Sequence, residues 1–166
     1  MKTETKQLTT YAFIDSQNLN LGVRSQGWQL DFAKFSIYLK EKYKVDKACL
    51  FIGYIETNRK LYRFLKKAGY ELIFKPTVRD NEGKSKGNVD AELVLYAAKI
   101  EYDNYDRAII VSGDGDFYCL IKFLHEQDKL RNVIIPNYQR YSKLLIPFRK
   151  YLRFTNDLRN KLEKKQ

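Results

Sequence analysis

The chain has 166 residues, the length of one ordinary domain and too short for two, and 44% of them are hydrophobic, with 13 Tyr and 10 Phe, which excludes a largely disordered chain. Lys and Arg number 31 against 20 Asp and Glu, and the net charge of +11 biases the surface toward polyanions, nucleic acid or anionic lipid, without choosing between them. Cys49 and Cys119 form no CxxC pair and have no histidine-rich partner, which argues against a disulfide framework or a zinc site and leaves two buried, reduced thiols as the expectation. Met1 to Thr10 lacks the apolar stretch of a signal peptide, and no run approaches membrane-spanning length, so the expected compartment is cytoplasmic with no membrane partner.

In chain order, Tyr11 to Asp15 is a short apolar run ending on a carboxylate and predicts a first buried strand. Phe32, Phe35, Ile37, Tyr38 and Leu39 follow with mixed helical spacing, and Lys47 to Ile55 then reads as a continuous apolar strand. Thr57 is the expected N-cap of a helix carrying Leu61, Phe64 and Leu65, with Gly69 where a C-cap belongs. Tyr70 to Lys75 predicts the third strand, stopped by Pro76, and Thr77 to Gly87 a polar, mobile loop with Asp80, Asn81, Gly83, Lys84 and Lys86. Asn88 is the expected cap of a helix striped by Val89, Leu93, Ala97 and Ile100, and Arg107 to Val111 predicts the fourth strand.

Ser112-Gly-Asp-Gly-Asp116 turns the chain, after which Phe117, Leu120, Ile121 and Leu124 repeat at i, i+3, i+4, i+7 as in an amphipathic helix. Asn132 to Ile135 predicts a fifth strand closed by Pro136. From about residue 140 the chain is strongly basic, and we read a short helix, an edge strand near Tyr151 to Phe154 and a terminal helix with a frayed end. Strands and helices alternate, so the expected fold class is α/β, a mostly parallel sheet of about five strands with helices on both faces, over a single domain spanning 1–166.

Asp15 ends the first strand, and Asp114 and Asp116 follow the fourth, the place where open α/β sheets put their ligands. Asp90, in the first turn of a helix, supplies a fourth group. Carboxylates gathered at about 4 Å repel by about 4 kcal/mol per pair at an effective dielectric near 20, so something must offset that cost. Hard divalent cations do so, and Mg²⁺ accepts a few carboxylates while keeping waters that a phosphate can replace. Phosphodiester hydrolysis is the natural reaction for such a site. Singly, each residue has a plainer reading, since Asp114 can cap the helix that follows and Asp90 or Asp116 suits a first helical turn. Asp15 is harder to explain without a partner or an ion, because it ends a buried strand.

The sole histidine, His125, falls near the end of a helix away from the strand tips, which disfavours a paired-histidine mechanism. No GxxxxGK[ST] or GxGxxG element is present, and Ser112-Gly-Asp is not a nucleophile elbow. Basic and aromatic residues interleave in Arg59 to Lys67, read as an amphipathic helix with a solvated basic face, and in a C-terminal segment with Arg140, Tyr141, Arg149, Lys150, Tyr151 and Arg153. Such mixtures can neutralise phosphates while stacking on unpaired bases. Lys84 and Lys86 are the stronger candidates for phosphate contact.

Three segments, Phe13-Ile-Asp-Ser-Gln-Asn-Leu19, Lys86-Gly-Asn-Val-Asp-Ala-Glu-Leu93 and Ile110-Val-Ser-Gly-Asp-Gly-Asp-Phe117, together resemble the NYN family of PIN-like nucleases, including its bacterial LabA-like members. The resemblance implies a three-layer Rossmann-like fold of strand order 3-2-1-4-5, with Asp15, Asp90, Asp114 and Asp116 as catalytic and metal-binding residues around Mg²⁺ or Mn²⁺. It also implies that Asn18 and Ser112 orient the metal, its water or a phosphate, that the substrate is RNA, and that products carry a 5′-phosphate and a 3′-hydroxyl; the basic-aromatic mixtures make single-stranded RNA the expected partner. A second copy of the chain, as a homodimer, is a further candidate partner, and the sequence does not fix the oligomeric state. Related sequences commonly carry a further aspartate two turns into the helix that begins near Asn88, and here that position is Tyr96. Two functions follow: a metal-dependent ribonuclease, or a non-catalytic RNA-binding or regulatory module of the same fold, with a phosphatase or DNA nuclease a weaker third.

Overall fold

The computed structural model describes residues 7–79, 85–86 and 89–165. Six strands form one sheet: β1 (Thr10–Asp15), β2 (Lys47–Tyr54), β3 (Tyr70–Pro76), β6 (Arg107–Val111), β7 (Leu130–Ile135) and β8 (Leu152–Phe154). Their order is β3-β2-β1-β6-β7-β8, and every adjacent pair is parallel. The first five reproduce the expected order, and the added edge strand β8 is the short Tyr151 to Phe154 stretch, reduced to three residues. Two further strands, β4 (Val78–Arg79) and β5 (Ser85–Lys86), pair antiparallel within the segment expected to be a plain loop. Strands of two residues are too short to leave a periodic signal. Lys84 and Asn88 lie outside the described residues, as does the side chain of Lys86.

Alternation along β1 divides the core in two, since successive side chains leave opposite faces of a strand. Ala12 and Ile14 pack with Leu19 and Val23 of α1 (Ser16–Arg24), Phe35 and Leu39 of α2 (Phe32–Tyr43), Leu65 of α3 (Arg59–Lys67) and Leu162 of α6 (Arg159–Leu162). Phe13 faces the other way, into Leu93 of α4 (Asp90–Leu95) and the Phe117, Leu120, Ile121, Leu124 stripe of α5 (Tyr118–Glu126) and the turn before it. With both faces covered, the strands need apolar residues in succession, which is why β1, β2 and β6 read as unbroken hydrophobic runs.

Several sequence expectations shift. α3 starts at Arg59 after a 3₁₀ turn over Glu56–Asn58, so Thr57 lies inside that turn and is not the cap. The tighter turn changes the helix phase: Tyr62 and Leu65 face the core, while Leu61 and Phe64 are largely exposed. Gly69 does end the helix, with the left-handed φ of +103° that such a stop favours. α4 widens into a π turn at Tyr96–Ile100, and the extra residue rotates Ile100 off the buried stripe. Cys119 is exposed, opposite the Phe117–Leu124 stripe, whereas Cys49 is buried and its thiol is pushed up to about 12 by that burial. His125 is exposed in the last turn of α5, edge-on to the Phe148 and Tyr151 rings. The expected frayed end is pinned as far as Lys164, whose N–H donates to the Gln29 carbonyl at 2.8 Å. No helix among the described residues is long and apolar enough to cross a membrane.

Candidate metal centre

β1 and β6 are neighbours, while the chain runs outward from β1 to β2 and β3 in one direction and from β6 to β7 and β8 in the other. The strand order therefore reverses between β1 and β6, and the crevice at their carboxyl ends is where such sheets bind ligands. Ile14 pairs with Val111, so the next residues in register are Asp15 and Ser112. Two acidic turns thus start side by side.

Asp15 does two jobs. It ends β1 and caps α1, its Oδ1 accepting the Asn18 N–H at 3.1 Å. Burial, opposed by that hydrogen bond and reinforced by the charge of Asp114, pushes its carboxyl above the ordinary aspartate range, and the Ser112 hydroxyl works in the opposite sense. Ser112, itself buried, also accepts the Asp114 N–H at 3.1 Å. The Asn18 side chain closes the pair of turns from the other side, its Oδ1 accepting the Gly113 N–H at 2.9 Å. Asp114 caps the 3₁₀ turn Gly115–Phe117, its Oδ1 accepting the Asp116 N–H at 2.9 Å. The capping role expected of Asp114 is therefore real, and Asp15, for which none was expected, caps a helix as well; each cap takes up only part of a carboxylate's accepting capacity.

Asp90, the first residue of α4, is carried to the same place by packing of that helix on β1. Carboxylate oxygens of Asp15, Asp90 and Asp114 all lie within 4.8 Å of one another. Asp116 is exposed and is not part of that group, because the 3₁₀ turn carries it one step beyond the cap. Among the described residues neither Asp15 nor Asp114 is ion-paired with a lysine or arginine. Three clustered oxygen donors, one of them buried at 5% exposure, suit a hard divalent cation. Tyr96 is half-buried and does not line the cleft, its ring packing edge-on to Phe51 at 5.5 Å against the core.

A cleft of about 370 Å³ opens over the trio. Gln17, Leu21 and Ser25 of the α1 side form one wall, and Pro136, Asn137 and Arg140 beyond β7 form the other. The walls are joined where Asn137 Nδ2 donates to Ser25 Oγ at 2.9 Å. Neither Ser25 nor Asn137 stood out in the sequence, although the position of Asn137 just past a strand's carboxyl end is a usable signal.

An all-parallel Rossmann-like sheet with an acidic crevice at its switch point is the architecture of the PIN-like nucleases. The NYN domain model matches residues 9–146, so the chain belongs to the NYN domain family. A crystal structure of a Vibrio parahaemolyticus protein of unknown function is similar at TM-score 0.75 and 26% identity, over 98% of this chain and 99% of the other. A Clostridium difficile chain described as an aminotransferase overlaps at TM-score 0.35 and 12% identity, over 84% of this chain and 44% of that one, too little to carry an argument. No curated protein matches the chain.

Proposed function

We propose that the chain is a single-domain, Mg²⁺- or Mn²⁺-dependent ribonuclease that hydrolyses single-stranded RNA in the cytoplasm. The observation that carries this is the convergence of Asp15, Asp90 and Asp114 oxygens within 4.8 Å at the sheet's switch point. Ionised groups so placed repel by roughly 3 kcal/mol per pair at an effective dielectric near 20, and a divalent cation offsets that cost. When bound, the cation supplies Lewis-acid activation of the phosphodiester and of the attacking water.

The protein's own groups do the rest. Asn18 and Ser112 hold the Asp15 and Asp114 turns in register, and Arg140 in the cleft wall is placed to contact a phosphate. Asp15, Asp90 and Asp114 would hold the ion, and the exposed Asp116 we assign to the outer rim, where its carboxylate would accept a hydrogen bond from the attacking water. Lys84 and Lys86, on the segment leading to Asp90, are assigned to the flanking phosphates. Hydrolysis forms a bond from water oxygen to phosphorus and breaks the bond to the 3′ oxygen, leaving a 5′-phosphate and a 3′-hydroxyl.

The test is cleavage of labelled single-stranded RNA with Mg²⁺ or Mn²⁺. The wild type should cut, chelator should stop it, and Asp15→Asn and Asp114→Asn should lose activity while remaining folded. Activity that survives in those variants or in excess chelator overturns the proposal. One observation favours a second reading: at the position where the family resemblance implies a further aspartate, Tyr96 instead packs edge-on against Phe51 at the margin of the core. Tight, salt-sensitive RNA binding with no turnover in any metal would assign the chain to that non-catalytic RNA-binding role.

A further inference from the structure

Beyond the acidic trio, the cleft wall continues into an aromatic ledge. Pro136, Asn137 and Arg140 line the cleft, and directly beside them the rings of Tyr138, Tyr141 and Phe154 come together. Tyr138 meets Phe154 edge-on at 6.2 Å, and Tyr141 meets Phe154 at 5.6 Å with a 53° tilt. Tyr138 is 52% exposed and Phe154 37%, so ring surface is left open to solvent.

The ledge adjoins the metal centre through Gly113, the residue before Asp114. A Cβ there would lie 3.1 Å from the Tyr141 Cβ, and the Ser142 N–H donates to the Gly113 carbonyl at 3.0 Å. The ledge is also held rigidly. Tyr138 N–H donates to Asn156 Oδ1 at 3.0 Å, Thr155 Oγ1 donates to the Pro136 carbonyl at 2.7 Å, and Arg140 N–H donates to the Asn137 carbonyl at 3.1 Å. The segments that follow β7 and β8 are thereby fastened into one surface.

Exposed rings beside the exposed Arg140, on a chain of net charge +11, match a polyanion whose units carry flat faces. Bases stack on aromatic side chains only when they are unpaired, because in a duplex their faces are covered. Resting on the nuclease reading for the path of the strand, we infer that Tyr138, Tyr141 and Phe154 form a base-stacking platform for an unpaired nucleotide next to the phosphate in the acidic cleft, with Arg140 bridging the two. Preference for single strands is then a property of this ledge and not of the carboxylates.

The experiment measures fluorescence anisotropy of a labelled, unstructured single-stranded RNA and of an RNA duplex of equal length, in chelator, so that binding is read without cleavage. Tyr138→Ala and Phe154→Ala should each weaken single-strand binding by roughly five- to one-hundred-fold and leave duplex binding unchanged. Tyr138→Phe, which keeps the ring, should restore wild-type affinity. The ring variants should keep the salt dependence of the wild type, whereas Arg140→Ala should lower its slope by about one on either RNA. Circular dichroism checks folding, and if Phe154→Ala is unfolded the exposed Tyr138 decides alone. Single-strand affinity unchanged in Tyr138→Ala, equal losses on single strand and duplex, or no RNA binding by the wild type overturns the inference. So does concentration-dependent dimerisation that Tyr138→Ala abolishes while RNA affinity stays the same, which would give the ledge to a second copy of the chain. A wild type that binds through the ledge but never cleaves leaves this inference standing and removes the nuclease reading.

Discussion

Replacing Asp15 by Asn should make the metal-free protein more stable while destroying its metal site. The Asp15 carboxylate is buried and lies within 4.8 Å of oxygens from both Asp90 and Asp114. Two fully ionised groups at that spacing repel by roughly 3 kcal/mol at an effective dielectric near 20. Asp90 and Asp114 are half-exposed, so solvent screening reduces the gain from removing the Asp15 charge to roughly 1–3 kcal/mol, or a rise in Tm of roughly 2–10 °C for a chain of this size. The substitution keeps the cap, since asparagine serves the Asn18 N–H as well as aspartate does.

Acidity gives a second signature of the same charge. Asp15 holds its proton more tightly in the fold than in the unfolded chain, chiefly through burial, so its contribution is favourable below its unfolded value of 3.8 and is lost as pH rises through the higher folded value. Thermal melts followed by circular dichroism in chelator, from about pH 4 to pH 7, should show the wild type losing this component and Asp15→Asn lacking it. Adding Mg²⁺ or Mn²⁺ at about a hundred times its Kd should then return about 2.7 kcal/mol to the wild type and little to the variant. An Asp15→Asn protein less stable than wild type at neutral pH in chelator would refute the reasoning.

Other consequences are simpler to check. Gly22→Ala sets a Cβ 2.5 Å from the Pro136 Cβ, where α1 meets the far wall of the cleft, and should cost roughly 1–3 kcal/mol in denaturant melts. Asn18→Ala leaves the buried Gly113 N–H without its acceptor and should cost roughly 1–3 kcal/mol and weaken Mn²⁺ binding in calorimetry, whereas Asn18→Asp keeps the acceptor. Of the two cysteines, Cys119 should react with a thiol reagent in the native protein and Cys49 only on unfolding, since Cys49 is buried with its thiol held near 12.

The parallel sheet was legible because buried strands must be apolar on both faces, and runs such as Tyr11 to Ile14 and Arg107 to Val111 break only where the chain leaves the sheet. For the same reason Asp15 and Asp114 stood out, as carboxylates at the ends of such runs. Asp90 was legible as a first-turn residue of an amphipathic helix. The separation of Asp116 from the trio was not, because it depends on a 3₁₀ turn whose Asp114 cap draws the Asp116 amide inward and leaves the side chain outside. The Thr57 and Ile100 expectations failed similarly, where a 3₁₀ turn and a π turn each changed helix phase by a fraction of a turn that hydrophobic spacing does not encode. The aromatic ledge was half visible: Tyr141 and Arg140 belonged to a recognisable basic-aromatic segment, but Tyr138 and Phe154 meet only through the β7–β8 pairing.

Anomalous diffraction from a crystal soaked in Mn²⁺ probes the gathered acids at their source. We expect a peak bounded by the side chains of Asp15, Asp90 and Asp114, with Asp116 reaching it only through water. A saturating soak that leaves this point empty while the three side chains stay together would contradict the account.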